Sequence, residues 1–339
     1  MATNDARPYP LNQSPLFKMT SRKKLALEVF NVDLRTLESL AHNESNFRVF
    51  KLKQGEKERQ VEVPKVVLER FHRRLFTLLE RLEKPDYLHS GRKGRSYVTN
   101  AKVHLGEVPL AKVDLKKFYP SVDGARVARF FTELLQCSPD VAGLLTKLCV
   151  YENHVPTGSC VSQLLAYFAV SPLFNELSTL SMDSGVRMTC YVDDMTFSGP
   201  TVGPAFLWAA KQVIHRHGFR YHKERCYRSD EQKFVTGAML HGQRITMLAS
   251  REHALARDIN ALGGLDPVAR LDAIDRLMGK AVAGSQIDAR FLARVKRLRQ
   301  EKAQARAAHE RLVEHDWRRR RASELAVAGP TELPWLATR

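Results

Sequence analysis

Apolar residues recur at helical spacing in Ser21 to Ala41, at Leu25, Val29, Leu34, Leu37 and Leu40, so a helical segment is expected behind a short polar, proline-containing leader. Phe47 to Val63 alternates apolar and polar positions on both sides of Gln54-Gly55-Glu56, which predicts a β-hairpin. Pro64 then opens a long amphipathic helix to about Leu82, with Leu68, Phe71, Leu75, Leu78 and Leu79 on one face and Arg70, Arg73, Arg74 and Arg81 beside it. Farther on, VPLAKVDL (Val108 to Leu115) has the length and β-branched content of a strand. Gly124 to Leu135 and Ser162 to Leu177 have helical periodicity, and Thr189 to Val192 and Met195 to Ser198 form two short β-prone arms around an Asp pair. Strand, helix, helix and hairpin in that order predict a split βαβ sheet with helices on one face.

The β pattern stops beyond Leu248. Arg251 to Ala326 reads as helices rich in Arg, Ala and Leu, interrupted at Gly263-Gly264, Pro267 and Gly284, so a separate helical lobe is expected with its boundary near residue 249. The tail after Gly329 is expected to be poorly ordered.

Charge narrows the choice of partner. The 339 residues carry 54 Lys plus Arg against 37 Asp plus Glu, a formal net charge of +17, which favours a polyanion because neutralising phosphates releases condensed counterions. Cys137, Cys149, Cys160, Cys190 and Cys226 are scattered, odd in number and without a CxxC pair, as expected of reduced thiols in a cytoplasmic protein. No signal peptide and no bilayer-length apolar run is seen, so no membrane role is expected.

Candidate chemistry lies at the Asp pair. Two adjacent carboxylates on a hairpin repel each other and both stay ionised only beside a cation. Asp193 and Asp194 in YVDD have that placement, although surface turns also contain Asp-Asp. Asp114 shifts the balance: it follows the strand residues Ala111 and Val113, where a charge is expensive unless it faces metal or solvent, and a split βαβ sheet lays this strand beside the hairpin. Three carboxylates then share one edge, a donor set suited to two Mg²⁺ ions. The Gly-punctuated basic loop GRKGRS, Gly91 to Ser96, suits phosphate, with solvated charge as the plain alternative.

These segments resemble a known family. VDLKKFYPSV (Val113 to Val122) and YVDDMTFSG (Tyr191 to Gly199) are similar to motifs A and C of reverse transcriptases, and PTGSCVSQLL (Pro156 to Leu165) is similar to motif B. NAKVH (Asn100 to His104) and VTG (Val235 to Gly237) match the NAxxH and VTG signatures of the bacterial retron group, so the chain resembles a retron reverse transcriptase from about residue 47 to 300. The resemblance implies that Asp114, Asp193 and Asp194 are the catalytic, metal-binding carboxylates, with Asp114 and Asp193 favoured as the direct ligands and the Leu115 backbone carbonyl as a further ligand. Tyr119 would close over the sugar C2′ and exclude ribonucleotides, adjacent Phe118 being the better core aromatic. Arg95 would grip the incoming triphosphate, helped by Lys93 and Arg92, and Gly158 would let backbone approach the templating pair. Thr157 and Gln163 stand where many relatives have Gln and Pro. Arg225 falls where motif D usually carries a proton-donating Lys; an Arg hardly deprotonates, so either Lys223 substitutes or Arg225 supplies charge alone. Asn100, His104, Val235, Thr236 and Gly237 are implied as RNA-binding residues, with a scaffold role as the alternative for His104. VTG is expected to meet RNA without approaching the metals.

The fold class implied is α+β, a right-hand polymerase fold: an N-terminal helical segment and fingers in 1–105, a catalytic split βαβ palm in 106–248, and a basic helical thumb with a C-terminal tail in 249–339. The resemblance also implies two Mg²⁺ ions, with Mn²⁺ as a substitute, and deoxynucleoside triphosphates as substrates. A structured noncoding RNA would serve as template and primer, the product would be branched RNA-linked DNA, and an effector protein from the same locus would take part in antiphage defence. Another bacterial reverse transcriptase, of group II intron or other defence type, and a noncatalytic RNA-binding scaffold are the alternatives.

Overall fold

The computed structural model describes residues 8–54 and 57–328. The start of the leader, the Gly55-Glu56 hairpin tip and the tail after Gly329 lie outside the described residues. The chain divides into two compact units, Met1–Ile245 and Thr246–Arg339, so the segments expected as fingers and palm share the first unit.

The first unit opens on short helices whose starts are fixed by polar caps. Ser21 accepts the Lys24 amide at the start of α1 (Arg22–Lys24), which runs into a π-helical turn over Leu25–Val29. Asp33 accepts both the amide and the hydroxyl of Thr36 at the start of α2 (Leu34–Ala41). Strands β1 (Phe47–Gln54) and β2 (Lys57–Pro64) form the expected antiparallel hairpin, in register from Phe47 opposite Pro64 to Gln54 opposite Lys57. Helix α3 (Val66–Glu80) then buries Leu68, Phe71, His72, Leu75, Leu78 and Leu79, the face that its spacing predicts with a histidine added. The basic loop ends at a capping box, in which Ser96 and Thr99 exchange side-chain and backbone bonds to start α4 (Tyr97–Lys102).

Strand β3 (Leu110–Leu115) is followed by the single turn α5 (Phe118–Ser121), by α6 (Gly124–Arg129) with a π-helical turn over Phe130–Leu134, by α7 (Pro139–Cys149) and by α8 (Ser162–Asp183). Strands β4 (Arg187–Tyr191) and β5 (Asp194–Ser198), helix α9 (Pro204–Arg216) and β6 (Tyr221–Tyr227) complete the motif. These strands make one four-stranded antiparallel sheet in the order β4-β5-β3-β6. Because β5 lies between the helix-linked strands β3 and β4, the arrangement is a split βαβ unit, extended on its other side by β6. The core beneath it is aromatic, with Phe130, Phe131, Phe174 and Phe197 fully buried. Strands β7 (Lys233–Val235), β8 (Ala238–His241) and β9 (Arg244–Met247) form a second small sheet that carries the chain to the unit boundary.

The second unit is helical. Helix α10 (Ala249–Asn260) and a 3₁₀ turn at Ala261–Gly264 lead to α11 (Pro267–Ser285), whose start Asp266 caps by accepting the Val268 and Ala269 amides, and then to α12 (Phe291–Ala328). Gly284, expected to interrupt a helix, instead lies inside α11, where a Cβ would collide with the Phe291 ring. The core built from Leu255, Ile259, Ile274, Leu277, Phe291 and Leu298 ends at Ala305, and Arg311 to Arg319 of α12 is exposed throughout.

Candidate active site

The backbone brings the three carboxylates together. Asp114 on inner strand β3 sits opposite Asp194 of β5 and His222 of β6, and the Leu115 amide donates to the Asp193 carbonyl at 3.0 Å. Between the paired residues Tyr191 and Asp194 the chain turns in two residues, Val192 and Asp193. Val192 adopts φ 62, a left-handed conformation that a β-branched residue resists, and its amide is held by the Ser90 hydroxyl at 2.9 Å. Adjacent strand residues face opposite sides of a sheet, but this turn lets Asp193 and Asp194 line the same cleft. Lys223 (φ 53) and Thr236 (φ 44) are also left-handed, so three strained residues, each costing of order 1–3 kcal/mol, border the site.

The cleft measures about 860 Å³ and is lined by Asp114, Asp193 and Asp194 with Tyr119, Tyr191, Val192, Thr157 and Thr236. The hairpin also contributes Leu52, Lys53, Arg59 and Val61 to the lining. Burial, with the Asp114 charge adding to it, raises the Asp193 pKa to about 6. Burial also raises that of Asp194, opposed by Lys112, whose Nζ lies 3.0 Å from Asp194 Oδ2. Lys223 Nζ lies 3.4 Å from Asp114 Oδ2, and His222 Nδ1 lies 3.3 Å from Asp114 Oδ1 without hydrogen-bond geometry.

Asp114 Oδ1 and Asp194 Oδ1 are buried and have no hydrogen-bond partner. Such atoms are costly, and an oxygen-only donor set with two unsatisfied atoms fits a hard cation such as Mg²⁺. Among the described residues no group of three or more His, Cys, Asp or Glu side chains is gathered to hold a metal ion, so the fit rests on the two partnerless oxygens alone.

Phe118 is buried against Phe174 and Phe219, whereas its neighbour Tyr119 lines the cleft. Burial, with the Asp193 charge, pushes the Tyr119 phenol up to about 12, so it stays neutral. Of the two motif D candidates, Lys223 reaches Asp114, while the exposed Arg225 lies over the Tyr227 ring at 4.8 Å.

Several expected contacts are not where the sequence puts them. Arg95 is half-buried between Asp86, 3.3 Å away, and His89, also 3.3 Å away, and with Arg187 it lines a separate cavity of about 370 Å³. Arg92 donates to the Pro85 carbonyl, and neither it nor Lys93 lines the carboxylate cleft. The composition of the loop suggested phosphate, but its guanidiniums are engaged by their own neighbours. The cations that do face the cleft, Lys53 and Arg59, sit in the hairpin alternation and were not singled out from sequence. Gly158 does give close approach, but to β2: its amide donates to the Glu62 carbonyl at 3.0 Å, and a Cβ would lie 2.6 Å from that oxygen.

Asn100, His104 and Val235 have no exposed surface, which corrects their expected contact with RNA. His104 bonds the Ser198 and Thr189 hydroxyls, each at 2.7 Å, and burial lowers its pKa to about 3, so it is a neutral scaffold under β4 and β5. Thr236 and Gly237 form the two-residue turn between β7 and β8, and Thr236 lines the carboxylate cleft itself, contrary to the expectation that VTG stays away from it.

No family model matches the chain. It is similar to the retron Se72 reverse transcriptase of Salmonella heidelberg, 32% identical over 160 residues that cover 45% of this chain and 41% of that one. It is 31% identical over 216 residues to the retron Mx65 reverse transcriptase of Myxococcus xanthus, covering 57% of this chain and 50% of that one. With the retron Ec86 reverse transcriptase of Escherichia coli it shares 29% over 128 residues, covering 38% and 40%. The matched region thus spans half or less of each of these relatives. Among solved structures, a telomerase from Candida albicans superposes with TM-score 0.45 and 8% identity, over 77% of this chain and 61% of that one.

Proposed function

We propose that the chain is an RNA-directed DNA polymerase of retron type. The observation that carries this is the meeting of Asp114, Asp193 and Asp194 with the hairpin cations Lys53 and Arg59 across one cleft, and the similarity to curated retron reverse transcriptases supports it. Bound at the partnerless oxygens of Asp114 and Asp194, magnesium would supply the Lewis acidity that activates a primer hydroxyl and steadies departing pyrophosphate. Lys53 and Arg59 neutralise the triphosphate, and Tyr119 closes the sugar side. Lys223 would give a proton to pyrophosphate as the primer oxygen, its own proton passing to water, bonds the α-phosphorus and the bond from that phosphorus to the bridging oxygen of the β-phosphate breaks.

The retron reading adds a structured noncoding RNA as template, a 2′-hydroxyl of one of its guanosines as primer, branched RNA-linked DNA as product and an antiphage role with an effector from the same locus, in the cytoplasm. No helix among the described residues is long and apolar enough to cross a membrane. Primer extension on an RNA template with deoxynucleoside triphosphates and Mg²⁺ tests the polymerase. Wild type extends, and Asp193→Asn, which keeps volume but removes charge, loses about three orders of magnitude or more while RNA binding persists. Near-normal extension by that variant would remove the metal assignment. Sequencing of co-purified nucleic acid tests the retron type, which requires short DNA covalently joined to RNA.

A further inference from the structure

Three consecutive residues between α7 and α8 are each tied to the N-terminal hairpin or to α3. Glu62 of β2 is 3% exposed, and its Oε2 accepts the Thr157 amide at 2.9 Å and the Thr157 hydroxyl at 2.8 Å. Its Oε1 accepts the Gln60 side-chain Nε2 at 3.2 Å, with His154 Nε2 at 4.0 Å. Gly158 is held against the Glu62 carbonyl at a distance only glycine permits. Ser159 is bonded to His72 of α3, whose Nδ1 lies 2.6 Å from the Ser159 hydroxyl and whose Nε2 lies 2.7 Å from the Leu148 carbonyl. A carbonyl only accepts, so His72 carries its proton on Nε2 and Ser159 donates to Nδ1.

A carboxylate this buried is retained only where its bonds compensate for lost water. Burial pushes the Glu62 carboxyl up, but the two Thr157 bonds, together with the Gln60 bond and the nearby His154, leave the group below its ordinary value, hence ionised. What those bonds connect gives them a use. Thr157 lines the carboxylate cleft, and so do Arg59 and Val61, on the same strand as Glu62. Glu62 therefore ties together two segments, the loop at Thr157 and strand β2, that both line the cleft.

We propose that Glu62 is a positioning residue for the incoming nucleotide, clamping Thr157 to the strand that carries Arg59 and so fixing where that strand presents its cation to the cleft; this rests on the polymerase reading above. Glu62 touches no reacting atom. Without it the loop keeps the Gly158 bond, the 3.3 Å contact of the Thr157 hydroxyl with the Gln60 carbonyl and the packing of Phe47 on Tyr151, but loses its charged tie to β2, and the hairpin cations drift from the triphosphate while the carboxylates stay in place. The loss falls on nucleotide binding more than on chemistry.

The test is steady-state extension of an annealed primer on an RNA template by wild type, Glu62→Leu, Glu62→Gln and Thr157→Val, with amide hydrogen exchange on the same proteins. In Glu62→Leu the nucleotide KM rises by about 10- to 100-fold, the effect expected for losing hydrogen bonds to a charged group, while kcat changes by less than about threefold. Glu62→Gln, which keeps an acceptor for Thr157, recovers most of the loss. Exchange at the Thr157 and Gly158 amides speeds up in Glu62→Leu. If Glu62→Leu does not fold, Thr157→Val, which deletes only the hydroxyl, carries the KM comparison. An unchanged KM with a lowered kcat, or unaltered exchange, would overturn the clamp and leave a merely structural carboxylate. Failure of wild type itself to incorporate nucleotides would instead overturn the polymerase reading, and the exchange measurement would still decide whether the clamp exists.

Discussion

Asn100 Nδ2 donates to the Thr236 hydroxyl at 3.4 Å, and that hydroxyl donates to the Tyr97 carbonyl at 2.9 Å. Two signature segments far apart in the chain are thus one hydrogen-bonded cluster. It holds Thr236 in a left-handed turn at the edge of the carboxylate cleft. On the proposed polymerase reading, a residue so placed would serve any template that enters the cleft, structured or not.

Thr236→Val keeps the β-branched shape and removes the hydroxyl that bridges Asn100 to Tyr97. Initiation on a structured RNA and extension of an ordinary annealed primer should fall together, each by roughly 5- to 30-fold, the effect of about one to two kcal/mol. Parallel assays of the two activities check this. Loss of initiation alone would restore a dedicated RNA-recognition role to the turn.

Lys223 and Arg225 separate proton donation from simple charge. Lys223 lies against Asp114, whereas Arg225 is exposed and engaged with Tyr227. Lys223→Ala should lower the rate of the chemical step by about 10²-fold or more if the ammonium is the general acid, and Arg225→Ala should leave it within about threefold. Single-turnover incorporation measures both, and equal effects would return the role to bulk charge.

The part of this architecture legible in the sequence is the part written in alternation and in costly residues. Asp114 after an apolar strand and an Asp pair on a hairpin are expensive wherever they are not used, and the sheet pairs Asp114 with Asp194. Strand β6 escaped notice because Tyr221–Tyr227 is a sheet edge with mostly exposed side chains, so no apolar alternation marks it. The Arg95 expectation went astray for a related reason. Composition shows that a loop is basic, but not that Asp86 and His89 already occupy its guanidinium. Lys53 and Arg59 were hidden the other way: alternation assigns residues to faces of a hairpin without saying what the face looks upon.

Tyr119 gives a direct test of sugar choice. Its ring lies in the cleft while Phe118 fills the core, so Tyr119→Ala opens space without collapsing the sheet. Ribonucleotide incorporation should rise by about 10-fold or more relative to deoxynucleotide, an effect of about 1.4 kcal/mol or more on the discrimination. Competition between the paired triphosphates in one reaction reads the ratio, and unchanged discrimination would place the gate elsewhere.

The basic second unit divides into arginines committed to the protein and arginines turned to solvent. Arg294 is bonded to Glu252 at 2.9 Å and lies over the Phe291 ring at 4.3 Å, so its charge is used in holding α12 to α10. Arg299 and Arg306 are exposed on the same helix. If α12 meets a nucleic-acid backbone, each exposed arginine that neutralises a phosphate releases counterions, and the slope of log affinity against log salt loses roughly one unit per contact removed. Arg299→Ala and Arg306→Ala should therefore flatten the salt dependence of binding to many RNAs by roughly one unit each while leaving thermal stability unchanged. Arg294→Ala should do the reverse, lowering the melting temperature of the helical unit with little change in slope. The contrast is what makes the test informative, since a general loss of positive charge would flatten all three slopes alike. A wild-type slope in the Arg299 and Arg306 variants would mean that this face of α12 is merely solvated.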